Sequence, residues 1–284
     1  MDREATKAGL TRVFDRIADD FDRSGIEFHR PAGRRLADYA ELRRGETVLD
    51  VGCGRGAVTF PAATSVGDEG RVAAIDLSAA MVDHVTADGR RLGLANISAQ
   101  VMDGESPDFP PGTFDVILGG FSIVMFLNAE DALRRYPPLL RSPGRLALSA
   151  PVFREDGMPS AFPPQAGDAF RRLFRKLLEA GMPRDFVDPQ ASWFGTPDGL
   201  ASTVRRAGFR SVRMDAEPVR ITMRTGWDWV RWTFAQGARL FWERISDAER
   251  LQLGDDVAAE LETLRGTDGK ITFPVPVRYV CATV

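Results

Sequence analysis

Two histidines, two cysteines and three lysines are all that the 284 residues hold of those types. Cys53 lies in a glycine-rich stretch and Cys281 in a terminal apolar run, a spacing that supplies neither a disulfide framework nor a zinc site. With histidine so scarce and no acidic cluster in "FSIVMF", a catalytic metal is not expected. The three lysines stand among 37 basic residues, so arginine carries nearly all the positive charge, a bias expected of a GC-rich bacterial genome. No run of eighteen uncharged apolar residues occurs, and the charged start "MDREATKAGLTRVFDRIADDFDRSG" has no signal-peptide core. A cytoplasmic protein without integral membrane association is therefore expected. Positive charge is not in excess either: a formal net charge of -3 argues against nucleic acid as the main partner. Nothing in the sequence sets the oligomeric state.

What is present is an alternation. Leu10 to Phe21 and Pro31 to Leu42 have helical spacing. Then "TVLDV", "RVAAID", "ISAQVMD", "FDVILGG" and "GRLALSA" form short apolar runs, most of them separated by helix-forming segments. Runs apolar on both faces and joined by helical crossovers predict a doubly wound α/β unit with a mostly parallel sheet. The pattern breaks after residue 151. Pro151 to Gly167 carries four prolines and reads as an ordered loop over the sheet edge or as a lid. Asp168 to Gly181 reads as a basic amphipathic helix, and Thr196 caps another. "SVRMDAEPVRITM" and "KITFPVPVRYVCATV" read as antiparallel neighbouring strands, with an aromatic helix (Gly226 to Trp242) and an acidic helix (Ser246 to Arg265) inserted between them. The organisation expected is lid helices in 1–45, a nucleotide-type core in 46–151, and in 152–284 the rest of the sheet with cap segments.

"VLDVGCGRG" shows what the core binds. A strand ending in Gly52-x-Gly54-x-Gly56 and turning into a helix lets a ligand approach the main chain. A tight turn without a ligand is the plainer reading. Two acids weigh against it: Asp76 ends the second run and Asp103 the third, where ligands of open α/β sheets bind. Either acid alone could be a helix cap. The third glycine falls two residues too early for a dinucleotide fingerprint, and Val58 stands where that glycine belongs.

From "VLDVGCGRG" through "AIDLSAAMV", "MDGES", "FDVILGG" and "RSPGRLALSAP", the chain resembles the class I S-adenosylmethionine-dependent methyltransferases. The upstream "VFDRIADDFD" is similar to the lid helix of their small-molecule branch, which includes ubiquinone, menaquinone and natural-product methyltransferases. The resemblance implies a Rossmann-like seven-stranded sheet with an antiparallel last strand, a helical cap around the acceptor, and S-adenosylmethionine as cofactor. It implies that Asp50 holds the methionine amine through water and that Gly52 and Gly54 make room for methionine and ribose. Asp76 takes the ribose diol, Leu77 and Met81 flank adenine, Asp103 accepts from the adenine amino group with Gly104 contributing backbone, and Gly119 offers a carbonyl near the amine. "SPG" at Ser142 to Gly144 departs from the family's usual turn.

A sulfonium donor needs little beyond an in-line nucleophile and exclusion of water. A hydroxyl acceptor gains from a general base, and histidine suits neutral pH. His84 follows the second strand on the adenine side and reads as a surface or packing residue. His29, between the leading helices, is the candidate base, with an ordinary loop histidine as the alternative. Phe121 to Phe126 lacks the Asn-Pro-Pro-aromatic sequence of amino methyltransferases acting on nucleobases and glutamine. The acceptor pocket is expected to draw on Phe21, Phe121, Met125, Trp193, Trp229 and Phe273; for the aromatic helix the competing reading is a cap packed on the sheet. The function expected is methylation of oxygen or carbon on a small, apolar metabolite. A protein that binds S-adenosylmethionine while promoting a cyclisation, or an RNA or protein methyltransferase, is the alternative.

Overall fold

In the computed structural model, which describes residues 3–154, 158–182, 188, 190 and 192–284, the apolar runs become strands with both faces covered. In chain order they are β1 (Thr47–Val51), β2 (Arg71–Asp76), β3 (Ile97–Val101), β4 (Phe114–Gly120), β5 (Leu140–Pro151), β6 (Arg210–Met223) and β7 (Ile271–Thr283). They form one sheet in the order β3-β2-β1-β4-β5-β7-β6. The pairings among β1 to β5 are parallel, and β7 runs antiparallel to both β5 and β6. The antiparallel last strand and the pairing of the two C-terminal strands are thus as the sequence implied. Register fixes the core: Val48 stands between Val72 and Val116, all three fully buried.

The helices are α1 (Arg3–Ile17), α2 (His29–Tyr39), α3 (Thr59–Val66), α4 (Ala79–Arg91), α5 (Ala129–Arg134), α6 (Asp168–Glu179), α7 (Pro197–Arg206), α8 (Gly226–Phe234), α9 (Arg239–Trp242) and α10 (Asp247–Glu262). One apolar layer joins α2 and α3 to Val48, Val72 and Val116; the opposite layer joins α5 and α7 to Leu49, Ile117 and Leu148. Sequence-readable caps hold several starts. The Ser78 hydroxyl accepts from Met81 N–H at 3.2 Å, and that of Thr196 accepts from Gly199 N–H at 3.0 Å ahead of Pro197. Helix α2 begins at His29, before the expected Pro31, because a proline in the first turn sacrifices no intrahelical hydrogen bond.

β6 and β7 outrun the rest of the sheet. Pairing with β5 stops at Pro151↔Val277, whereas β6 and β7 continue together to Met223↔Ile271. Against this ribbon pack α6, α8 and α10, burying Phe170, Leu173, Trp229, Val257, Leu261, Ile271 and Phe273. Each such side chain contributes on the order of 1.5–3 kcal/mol by leaving water, and the cap's apolar cluster is continuous with the layer that holds Val48, Val72 and Val116. The single aromatic helix expected over Gly226 to Trp242 is broken: after α8 the Ala235 N–H turns back to the carbonyls of Arg231 and Trp232, and α9 restarts beyond Gly237. Of the proline-rich loop, residues 155–157 lie outside the described part. The rest is tied down by the Phe153↔Pro159 bridge, by Arg154 donating to the Pro164 carbonyl, and by buried Met158 and Phe162. Among the described residues no helix is long and apolar enough to cross a membrane.

Candidate active site

The glycine turn lies at the carboxyl end of β1, beside those of β2 and β4. Gly52, Gly54 and Gly56 all have left-handed backbones, with φ of 67°, 50° and 83°. They are small for different reasons. A side chain at Gly52 would begin 2.3 Å from the Cβ of Ser122, and one at Gly56 would strike the Phe60 ring at 2.4 Å. At Gly54 the nearest atom is on Phe21, 3.7 Å away, an ordinary contact without a clash, and the residue lines the cavity described below. Gly52 therefore accommodates Ser122, and it is Gly54 that leaves room beside the main chain.

Backbone fixes Asp76, whereas side chains share in holding Asp50 and Asp103. Asp76 accepts from Gly54 N–H and Ser78 N–H, each at 2.9 Å, one on each carboxylate oxygen. Burial raises its pKa, and these two N–H groups oppose the rise. Asp50 is fully buried beneath the turn. Its Oδ2 accepts from the Thr59 hydroxyl at 2.5 Å and its Oδ1 has no partner. Burial lifts its pKa to about 7, against the Thr59 hydrogen bond that lowers it. Asp103 accepts from Glu105 N–H at 2.9 Å and from Lys7 Nζ at 2.6 Å; Lys7 also lies 3.1 Å from Glu105. Burial pulls the Lys7 pKa down, and the two carboxylates more than restore it.

These features open on one cavity of about 240 Å³. Gly52, Gly54, Asp76, Leu77, Met81, Asp103 and Gly104 line its donor-side wall, and Phe21, His29, Phe121 and Met125 line the opposite side. Helix α1 roofs it: Val13 and Ile17 pack with Met81, Asp15 accepts from the Ser78 hydroxyl at 2.6 Å, and Arg16 pairs with Glu243 at 2.6 Å. Gly33 of α2 closes tightly on the turn, since a side chain there would meet the Ala57 carbonyl at 2.3 Å. The His29 ring sits among Phe21, Phe28 and Phe121, at 4.9, 5.1 and 6.0 Å between centroids. His84 instead faces Asp19 at 3.0 Å, away from the cavity lining.

Five expected residues do not line this cavity. Asp50 lies beneath it. Gly119 faces Ile123, whose side chain a Cβ would meet at 2.5 Å, while the following Gly120 and Phe121 reach the cavity. Gly104 does line it, but its carbonyl is occupied by the Tyr136 hydroxyl at 2.9 Å. Trp229 is packed between Phe162 and Phe170 with its indole N–H on the Ala161 carbonyl at 3.2 Å, and Phe273 is buried in the same cap core. Trp193 stacks edge-on with Phe194 in the layer on the opposite face of the sheet. These three aromatics hold the cap and sheet together; they are not pocket wall.

The structure adds lining residues the sequence reading missed. Lys7 could have been singled out as one of only three lysines, placed in the leading helix. Asp22 follows Phe21 with φ of 58°, in the left-handed region that aspartate tolerates better than most residues. Gln236 and Gly237 enter from the break between α8 and α9, which no sequence signal marked.

Comparison with known proteins agrees with this geometry. Residues 48–144 match the family described as a methyltransferase domain. The chain is 37% identical to nocamycin O-methyltransferase of Saccharothrix syringae over 269 residues, 94% of this chain and 96% of that one. It is 38% identical to aklanonic acid methyltransferase of Streptomyces sp. (strain C5), covering 75% of this chain and 97% of the relative. Among solved structures, a putative methyltransferase from Bacillus halodurans C-125 superposes with a TM-score of 0.57 at 19% identity, covering 88% of this chain and 96% of that one, a likeness of fold.

Proposed function

The chain belongs to the S-adenosylmethionine-dependent methyltransferases, and from that membership we propose that it methylates an oxygen of a small, apolar metabolite with His29 as general base. The single observation that carries this reading is the position of His29. It shares one cavity with the glycine turn and Asp76, in an aromatic surround, with Asp22 Oδ1 3.5 Å from its Nδ1.

S-adenosylmethionine supplies the methyl group as a reactive sulfonium. The residues present fit such a donor: Gly54 leaves space beside the main chain, and the buried Asp50 Oδ1 without a partner suits a cationic group. Asp76, pre-aimed by its two N–H donors, takes the ribose hydroxyls. Asp103 would receive the adenine amino group alongside Lys7, Leu77 and Met81 would flank the base, and Asp50, beneath the cavity, would draw the methionine amine through water. Phe21, Phe121 and Met125 keep water from the acceptor, and His29 removes its hydroxyl proton as the new bond forms. In this reading residues 1–45 are the lid, 46–151 the donor core and 152–284 the remaining sheet and cap. The net charge of -3 supports a small-molecule acceptor rather than nucleic acid and accords with a cytoplasmic setting.

The test is turnover of a hydroxylated acceptor by His29→Ala. The expected result is a loss on the order of a hundredfold or more in kcat. A near-normal kcat would leave oxygen methylation without its base and return carbon methylation to equal standing.

A further inference from the structure

Three buried polar atoms of cavity-lining residues have no hydrogen-bond partner: Asp22 Oδ1, His29 Nδ1 and Gln236 Nε2. Buried polar atoms are ordinarily paired, and each unpaired one burdens the fold with its desolvation. Phe14, Phe21, Phe121 and Met125 give the same cavity its apolar wall. All three are also held in place. Asp22 takes a left-handed backbone, and its side chain is 6% exposed beneath the 15% exposed imidazole. The Gln236 carbonyl accepts the Arg239 N–H at 3.0 Å, and a Cβ on the adjacent Gly237 would lie 3.6 Å from both Met125 and Phe14. The helix break that sequence patterning did not foresee is what brings this carboxamide to the chamber.

We propose that Asp22, His29 and Gln236 form a site for two neighbouring oxygens of the acceptor, so that the substrate is an apolar molecule whose reactive hydroxyl stands beside a carbonyl-type oxygen. This rests on the oxygen-methylation reading above. The Gln236 amide donates to the carbonyl-type oxygen and sets the hydroxyl before His29. As the hydroxyl oxygen bonds to the methyl carbon, the carbon–sulfur bond breaks with its electron pair left on sulfur, and the hydroxyl proton passes to the imidazole. Asp22 is a positioning residue: it receives the Nδ1–H, orients the ring and supports the imidazolium that forms. The 3.5 Å separation is long for a hydrogen bond, as is common before a substrate closes such a pair. Asp22 is the acidic neighbour of the ring; Arg30 beside it pairs outward with Glu27 at 3.7 Å, the buried Arg55 of the same cavity is committed to the Ala18 carbonyl at 2.7 Å and Asp88 at 3.1 Å, and the surrounding Phe21, Phe28 and Phe121 carry no charge.

The test uses calorimetric titration of the protein saturated with S-adenosylhomocysteine. The probes are ortho-hydroxyacetophenone and ortho-ethylphenol, which differ by the carbonyl oxygen. Wild type should prefer the ketone by about tenfold, and Gln236→Met should reduce that preference to within about twofold while S-adenosylhomocysteine affinity is retained. Equal affinity of wild type for the two probes, or a preference that survives Gln236→Met, overturns the role of Gln236. For Asp22, Asn at that position should move the neutral His29 ring from the Nδ1–H toward the Nε2–H tautomer in nitrogen-15 NMR, the resonance being assigned with His29→Ala. An unchanged tautomer overturns the pairing. Neither readout involves turnover, so failure here is distinct from failure of the methylation reading, which would show as a methyl group on carbon.

Discussion

Asp76 and His29 face the same cavity, yet they are held in opposite ways. Both oxygens of Asp76 are engaged by main-chain N–H groups at 2.9 Å, whereas Nδ1 of His29 has no partner and the nearest acid stands 3.5 Å off. The contrast extends across the crevice. The proposed donor side lies at strand ends, where main-chain N–H groups hold Asp76 on both oxygens and Asp103 on one before any ligand arrives, while the Thr59 hydroxyl holds Asp50. The acceptor side is assembled from the segment before α2, the turn after β4 and the break between α8 and α9, and it keeps hydrogen-bonding capacity unmet. Preorganised backbone suits a ligand common to a whole family. Side chains left wanting partners suit one acceptor, because unpaired groups penalise molecules that cannot satisfy them.

The contrast can be broken or sharpened by substitution. The largest effect should come from a residue belonging to neither side. Trp229→Ala empties the cap core and should destabilise the fold by about 3–5 kcal/mol in denaturant titration, with the affinity for S-adenosylhomocysteine of the protein that remains folded unchanged. A selective loss of acceptor binding without loss of stability would put Trp229 back in the pocket wall. Next is Asp76→Ala, which should weaken S-adenosylhomocysteine binding by about 1.5–3 kcal/mol; unchanged affinity would reduce Asp76 to a cap for the turn.

The smallest effect is the pH response of Asp50. Its pKa, lifted to about 7 by burial, leaves it largely protonated in the ligand-free protein below neutrality. A cationic amine binds the ionised form, so donor affinity should rise with pH, by up to about tenfold per unit below pH 7, and level off above it. The ligand-free protein responds with the opposite sign. Between the ordinary carboxylate range and pH 7 the folded state holds a proton the unfolded chain has lost, so its stability falls as pH rises through that window. Calorimetry at several pH values should show proton release on binding below pH 7, and Asp50→Asn should abolish both trends.

The same division explains what could be read from the sequence. That Gly54, Asp76 and Asp103 meet in one cavity was legible because each stands at or just beyond a strand end, which periodicity and glycine spacing reveal together. The alternation of apolar runs likewise carries the sheet, down to the pairing of the two C-terminal strands. Trp229 and Phe273 were misplaced because an aromatic stripe looks alike whether it walls a pocket or fills a cap. That choice depended on the β6–β7 ribbon extending past Pro151 and bringing α6 and α10 against it. Gln236 was illegible for a related reason: residues with good helical spacing surround it, and only tertiary packing breaks the helix there. Lys7 lies 96 residues from its partner Asp103, a pairing no local pattern encodes.

That one cavity has a donor side at the strand ends and a separately built acceptor side is tested most directly by titrating S-adenosylhomocysteine into His29→Ala. The account predicts affinity within about twofold of wild type, since no donor contact passes through the imidazole. A loss as large as that caused by Asp76→Ala would contradict it, because His29 would then belong to the donor side.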